Sequence, residues 1–125
     1  MEQTSQQHQQ RFPKKHRLLR AKDFRKVYDC GLRIATPYFR AVCYDRGEGD
    51  GPRIGLAVSR KLGKAVIRNR IKRRLREAVR LELWRLAPNW DLVLQPNRSA
   101  LEAPFSALRE ELAKVFERCN ERSLG

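Results

Sequence analysis

The chain has 125 residues, the length of a single domain with one core. Its 28 Lys+Arg against 14 Asp+Glu leave a formal charge of +14, while 41% of its residues are hydrophobic. No stretch approaches the roughly 20 apolar residues of a membrane span, and two Trp, three Tyr and five Phe can fill a core, which excludes global disorder. A small, folded, basic domain remains, and its natural partners are polyanions.

Residues 1–11 are Gln-rich and polar without an apolar run, so they read as a flexible arm rather than a signal peptide. One domain is expected over residues 12–122, with 123–125 as a tail. Phe12 to Arg17 reads as extended, because a residue before proline is pushed out of the helical region. A short helix is predicted from Lys22 to Cys30, with Asp23 in its first turn and Gly31 placed to end it. Phe24, Val27 and Tyr28 share one face of that helix.

Strands follow at Ile34–Ala35 and Tyr38–Tyr44. The segment Asp45 to Pro52 holds three glycines and a proline and reads as a turn. Arg53 to Val58 would then be the hairpin partner of the preceding strand. Beyond Gly63 a long helix begins near Lys64 or Ala65, with Ile67, Ile71, Leu75, Ala78 and Val79 as its packed stripe and Pro88 as its stop. Asp91 to Leu94 reads as a buried strand ended by Pro96. The last helix is placed from Pro104, with Phe105, Leu108, Leu112, Val115 and Phe116 facing the core; Ser99 and Glu102 resemble a capping box, but that start would put Pro104 past the first turn. The order is an α/β sandwich of one sheet and packed helices.

Chemistry-bearing residues are sparse. Cys30, Cys43 and Cys119 are odd in number and widely spaced, unlike a disulfide framework or a zinc ribbon, and read as buried reduced thiols in a cytoplasmic protein. His8 and His16 sit in the polar N-terminal stretch. Asp45, Glu48 and Asp50 are close in sequence but read as turn formers in a Gly-rich loop rather than as the converging carboxylates of a metal-dependent nuclease. Asp23, Asp29 and Asp91 read as isolated.

The positive charge is concentrated. Residues 1–80 hold 22 basic and 7 acidic side chains, whereas residues 81–125 hold 6 and 7. Arg60 to Arg80 carries ten Lys/Arg and one acid, Glu77. At 100° per residue, Arg68, Lys72 and Arg76 form a row along one flank of the apolar stripe, Arg70 and Arg74 lie on the other, and Asn69, Arg73 and Arg80 point away. Stacked like charges destabilise an isolated helix, and a polyanion neutralises them with release of counterions. Arginine suits bidentate phosphate contact and stacking on bases. Any one of Phe24, Tyr28, Tyr38, Phe39 and Tyr44 fits a core; exposed on a groove, it could stack on an unpaired base.

The run Val58-Ser59-Arg60-Lys61-Leu62-Gly63-Lys64-Ala65-Val66-Ile67-Arg68-Asn69-Arg70-Ile71-Lys72-Arg73 resembles the signature of the bacterial ribonuclease P protein family. Asp23-Phe24 with Val27, Tyr28 and Gly31, the segment Arg53 to Leu56, Arg74 to Glu77, and Asp91 to Leu94 agree with it as well, so the resemblance runs from about Arg17 to Phe116. It implies a helix-strand-strand-strand-helix-strand-helix sandwich with a four-stranded sheet and a left-handed β-α-β crossover, against the usual hand. It implies a partner of a catalytic RNA that removes the 5′ leader of precursor tRNA, with Mg²⁺ held by RNA and substrate and no catalytic side chain or metal site on the protein. By the same resemblance, Arg60, Lys61, Lys64, Arg70, Arg73 and Arg74 would meet the catalytic RNA. Phe24, Tyr28, Phe39, Arg68, Asn69, Lys72 and Arg76 would line the leader cleft. Two places depart from the family: Val42 stands where Tyr is frequent, and Gln95-Pro96-Asn97 replaces an Ala followed by a basic residue.

Neither a membrane nor a protein partner is expected. Two rival readings remain at this level: a ribosomal-type RNA-binding protein without a role in cleavage, and a protein-only nuclease.

Overall fold

The computed structural model describes residues 14–18 and 20–124; the expected arm at 1–11, the Phe12–Pro13 step and part of the tail lie outside them. Helix α1 spans Ala21–Cys30, strand β1 Leu32–Ala35, β2 Phe39–Asp45 and β3 Arg53–Leu56. Helix α2 spans Ala65–Glu82, β4 Trp90–Pro96 and α3 Phe105–Leu124. Short 3-10 turns fall at Lys14–His16, Arg60–Leu62, Leu83–Arg85 and Arg98–Leu101. The first of these corrects the extended reading of that segment; the chain extends only at Arg17, which bridges Ile54 in parallel, and Leu18 N–H donates to the Ile54 carbonyl at 2.9 Å.

The four strands form one sheet in the order β1-β2-β4-β3. β2 runs antiparallel to both β1 and β4, whereas β3 and β4 are parallel. The expected hairpin between β2 and β3 therefore does not exist. The hairpin is β1–β2, closed by Thr36, whose Oγ1 accepts the Phe39 N–H (3.0 Å) and donates to the Phe39 carbonyl (2.7 Å). β4 occupies the middle because six of its seven residues are buried, which only a strand covered on both faces satisfies. The loop from Asp45 to Arg53 then steps over one strand, about 10 Å, well within its reach at about 3.3 Å per residue.

Alternation sends Leu32, Ile34, Phe39, Ala41, Cys43, Ile54, Leu56, Leu92 and Leu94 to one face, where they meet the α2 stripe of Ile71, Leu75, Ala78 and Val79 and the α3 stripe of Leu108, Leu112, Val115 and Phe116. This is the main core, and both stripes are those the sequence predicts. The opposite face carries Val42 and Val93, covered by Val27 of α1 and Leu18, with Phe24, Tyr28, Tyr44 and Ala57 at the margin. α1 is a single short helix, so it covers only part of this face.

Element ends differ in detail. Gly31 ends α1, its N–H on the Val27 carbonyl at 2.8 Å. α2 stops at Glu82, ahead of Pro88, and the chain tightens through Leu83–Arg85. Asn120 of α3 closes that connection by accepting the Ala87 N–H (2.9 Å) and donating to the Arg85 carbonyl (2.6 Å). α3 begins after Pro104, and the Ser99 hydroxyl donates to the Pro37 carbonyl (2.9 Å) rather than capping a helix. Cys43 and Cys119 are buried, but Cys30 is exposed, contrary to the reading of all three as interior. A hydrogen bond to Cys119 and burial push the Cys43 thiol well above its ordinary range, so it stays protonated.

Candidate nucleic-acid interface

The basic segment starts where β3 runs out. Ser59 Oγ accepts the Lys61 N–H (3.1 Å) and caps the turn Arg60–Leu62, and Gly63, at φ 139°, swings the chain into α2 in a conformation that suits glycine alone. Arg68 Nε donates back to the Gly63 carbonyl (3.2 Å), and the Arg98 guanidinium donates to the Leu62 carbonyl (2.9 Å), so this turn is held from two sides. Around it Arg60, Lys61, Lys64, Asn69, Arg70, Arg73 and Arg76 are exposed, and Arg68 and Lys72 are half-buried.

The row along α2 is realised where it meets β3. Lys72 and Arg76 line a groove of about 200 Å³ together with Phe24 of α1, Arg17, Leu18 and the β3 residues Ile54, Gly55 and Leu56. Among the described residues three cations line it and no carboxylate does. The Phe24 ring rests on the β3 backbone: a Cβ on Gly55 would lie 2.5 Å from Phe24 Cζ. Tyr28 continues the aromatic edge, its ring centre 6.5 Å from that of Phe24 and tilted by 55°. Such a groove fits the phosphates and base faces of a single strand. It does not fit a divalent metal, which wants carboxylate oxygens.

Two expected site residues are elsewhere. Phe39 is 1% exposed and belongs to the main core, because its position in β2 has the parity of Ala41 and Cys43 and points away from α1. It has no open face for a base. Arg74 is turned inward: its guanidinium donates to the carbonyls of Ala100 and Leu101, both at 2.8 Å, and to that of Ala103. It ties α2 to the connection before α3.

Asp23 and Asp91 are not isolated either. Asp91, 3% exposed, accepts two bonds from Arg53 (2.9 and 2.7 Å) and a contact from Arg46, and Arg53 also reaches Asp23 in the first turn of α1 at 3.6 Å. The hydrogen bonds to Asp91 hold the Arg53 pKa above its ordinary value, against the cost of burial. This chain of charges fixes α1, and with it Phe24, to β3 and β4. Sequence reasoning missed it because Arg53 and Asp91 become neighbours only through the parallel pairing of β3 and β4.

A second cavity, about 400 Å³, lies beside this network and is lined by Lys15, His16, Arg46, Glu48, Asp50 and Arg53 among others. Its mixed charge and the fixed donors of Arg46, which also serve the Gly51 and Pro88 carbonyls, make it a structural junction rather than a polyanion site. Asp45 forms its turn by accepting the Gly47 N–H (2.8 Å) and the Asn89 amide (2.6 Å). Among the described residues no group of three or more His, Cys, Asp or Glu is placed to hold a metal ion.

Comparison with known proteins bears on this surface. The sequence profile of the family described as Ribonuclease P matches residues 12–120. The ribonuclease P protein component of Symbiobacterium thermophilum is 42% identical over 106 residues, 84% of this chain and 91% of the relative. That of Brucella suis is 50% identical over 78 residues, 62% of this chain, and the match spans only 55% of the Brucella protein's length. The solved ribonuclease P protein of Thermotoga maritima superposes with a TM-score of 0.72 at 30% identity, covering 82% of this chain and 96% of that one.

Proposed function

The chain belongs to the ribonuclease P protein family, and from this membership and the groove we propose that it binds a catalytic RNA and holds the single-stranded 5′ leader of precursor tRNA during leader removal. The observation that carries the reading is the groove of Phe24, Lys72, Arg76 and Arg17, cationic and aromatic with no carboxylate among the described residues. Leader phosphates sit against Lys72 and Arg76 and displace counterions. A leader base stacks on Phe24 or Tyr28, a contact worth about 1–3 kcal/mol. Arg68 and Asn69 both stand about two turns before Arg76 on the same helix and extend the path. Arg60, Lys61, Lys64, Arg70 and Arg73 form the contact with the catalytic RNA, their arginines gripping phosphates as bidentate forks.

In this reading the bond is broken by the RNA partner with Mg²⁺ bound to RNA and substrate; the protein raises the local occupancy of the correctly placed substrate. The protein works in the cytoplasm, and no helix among the described residues is long and apolar enough to cross a membrane.

The test is cleavage of a precursor tRNA with a leader of several nucleotides at low Mg²⁺. Three reactions are compared: the protein alone, a bacterial ribonuclease P RNA alone, and both together. Cutting at the mature 5′ end only in the mixture supports the proposal. Cutting by the protein alone would establish a protein-only nuclease, and no gain over the RNA alone would favour a ribosomal-type RNA-binding role.

A further inference from the structure

The two ends of α1 are held differently. Its C-terminal end runs through Gly31 directly into β1, and among the described residues of the helix Val27 alone is buried, over Val42 and Val93. At the other end the Leu18 N–H holds the chain ahead of the helix on the Ile54 carbonyl, but the first turn, which carries Phe24, has no side-chain cap at Arg20. Asp23 is the acid of that turn, and its carboxylate lies 3.6 Å from Arg53 Nη1. Arg53 is aimed there by its other nitrogens. Nε and Nη2 fork onto buried Asp91 across the β3–β4 register, at 2.9 and 2.7 Å, which fixes the plane of the guanidinium and presents Nη1 to α1. Ile54 and Leu56 face the main core, so Arg53 and Gly55 share the opposite side of β3, and Gly55 is where the Phe24 ring rests. The ion pair and the ring meet the same strand two residues apart.

We propose that Asp23 and Arg53 are positioning residues for the groove: their ion pair holds the first turn of α1 so that Phe24 faces the Lys72–Arg76 row, and leader affinity depends on that hold although neither residue touches the leader. The proposal rests on the reading of the groove as the leader path. Arg53 is basic, yet its donors are engaged by Asp91 and Asp23, so it is not one of the cations that meet phosphate. Asp23 is an acid beside a polyanion path. By charge alone its removal would strengthen leader binding; by position it weakens binding, because the turn that carries Phe24 loses its tie to β3. The sign of the effect therefore separates the two roles. A lysine at position 53 cannot serve both carboxylates, since one ammonium lacks the fork that spans them.

The test uses the protein assembled with a bacterial ribonuclease P RNA and two precursor tRNAs, one with a long leader and one with a single leader nucleotide. Asp23→Asn is expected to lower kcat/KM on the long leader about three- to fivefold, the scale of one ion pair, through KM with kcat kept. The one-nucleotide substrate should be cut as by wild type, and Asp23→Glu, which keeps the charge, should recover most of the loss. In a Phe24→Ala background Asp23→Asn should lose nothing more, because its effect passes through that ring. The same holds in an Arg53→Lys background; should that variant not fold, the Phe24 cycle decides alone. A long-leader rate equal to or above wild type for Asp23→Asn overturns the proposal. So does an equal loss on both substrates, which marks a general structural role, or a loss that multiplies with that of Phe24→Ala. An undiminished loss in folded Arg53→Lys would place Asp23 at the helix terminus rather than in the ion pair, and overturns it too. Failure of the leader reading itself is seen separately: wild-type kcat/KM would then be the same for a one-nucleotide leader and a long one.

Discussion

Glu82 and Asp91 are buried acids that each hold two arginines. Burial would raise the Glu82 pKa, but the hydrogen bonds from Arg85 and Arg109, both at 2.6 Å, outweigh it and leave the carboxyl below its usual value. A carboxylate with a lowered folded-state pKa stabilises the fold above the unfolded value, about 4.3, and loses that contribution as pH falls through the folded value. Glu82→Gln is therefore expected to lower Tm by several degrees at pH 7, with the gap to wild type constant above about pH 5 and closing only below about pH 4; thermal melts across pH 3–7 check this. At the groove, Gly55→Ala places a methyl where Phe24 Cζ lies 2.5 Å away. The ring has to swing off β3, so the loss in kcat/KM on a long-leader substrate should approach that of Phe24→Ala, about 1–3 kcal/mol. A long-leader rate equal to wild type for Gly55→Ala would show that Phe24 is not a stacking platform.

At the scale of the element, α2 has three differently used sides. Its apolar stripe was legible from spacing alone, since 3.6-residue periodicity depends only on neighbours along the chain. The flanks were not, because what a flanking arginine meets is set by distant segments. Lys72 and Arg76 face β3 and α1, whereas Arg74 meets the turn before α3. Substituting Lys72 or Arg76 by Ala should weaken long-leader substrates more than one-nucleotide leaders, while Arg70→Ala and Arg73→Ala should weaken both equally through the catalytic RNA; each loss should reduce the salt dependence by about one ion. Arg74→Ala belongs to stability instead. It strips three carbonyls of a charged donor and should cost about 2–3 kcal/mol in denaturant unfolding, and Arg74→Lys should not restore it, because one ammonium cannot span the fork.

For the whole molecule, charge separates two surfaces on one small body: the groove between α1, β3 and α2, and the exposed cations around the start of α2. Affinity for nucleic acid should fall linearly with salt on logarithmic axes. The slope is expected to be steeper for the ribonuclease P RNA than for a free oligonucleotide of leader length, because under the proposed function only the former engages Arg60, Lys61, Lys64, Arg70 and Arg73 as well. Equal slopes between about 50 and 200 mM salt, in the range where such contacts are lost, would mean that one surface serves both.

The sequence by itself determined the basic helix, the apolar stripes of α2 and α3, the turn at Asp45–Pro52 and the polyanion partner, because periodicity, composition and local charge are properties of neighbouring residues. The Arg68–Arg76 row and the family resemblance were legible for the same reason. Tertiary structure alone decided that β4 lies between β2 and β3, that Arg53 meets Asp91, and that Phe39 and Arg74 turn inward. Each depends on which strands pair and which face of the sheet a helix covers, and that choice is made by the burial of segments far apart in the chain, β4 above all.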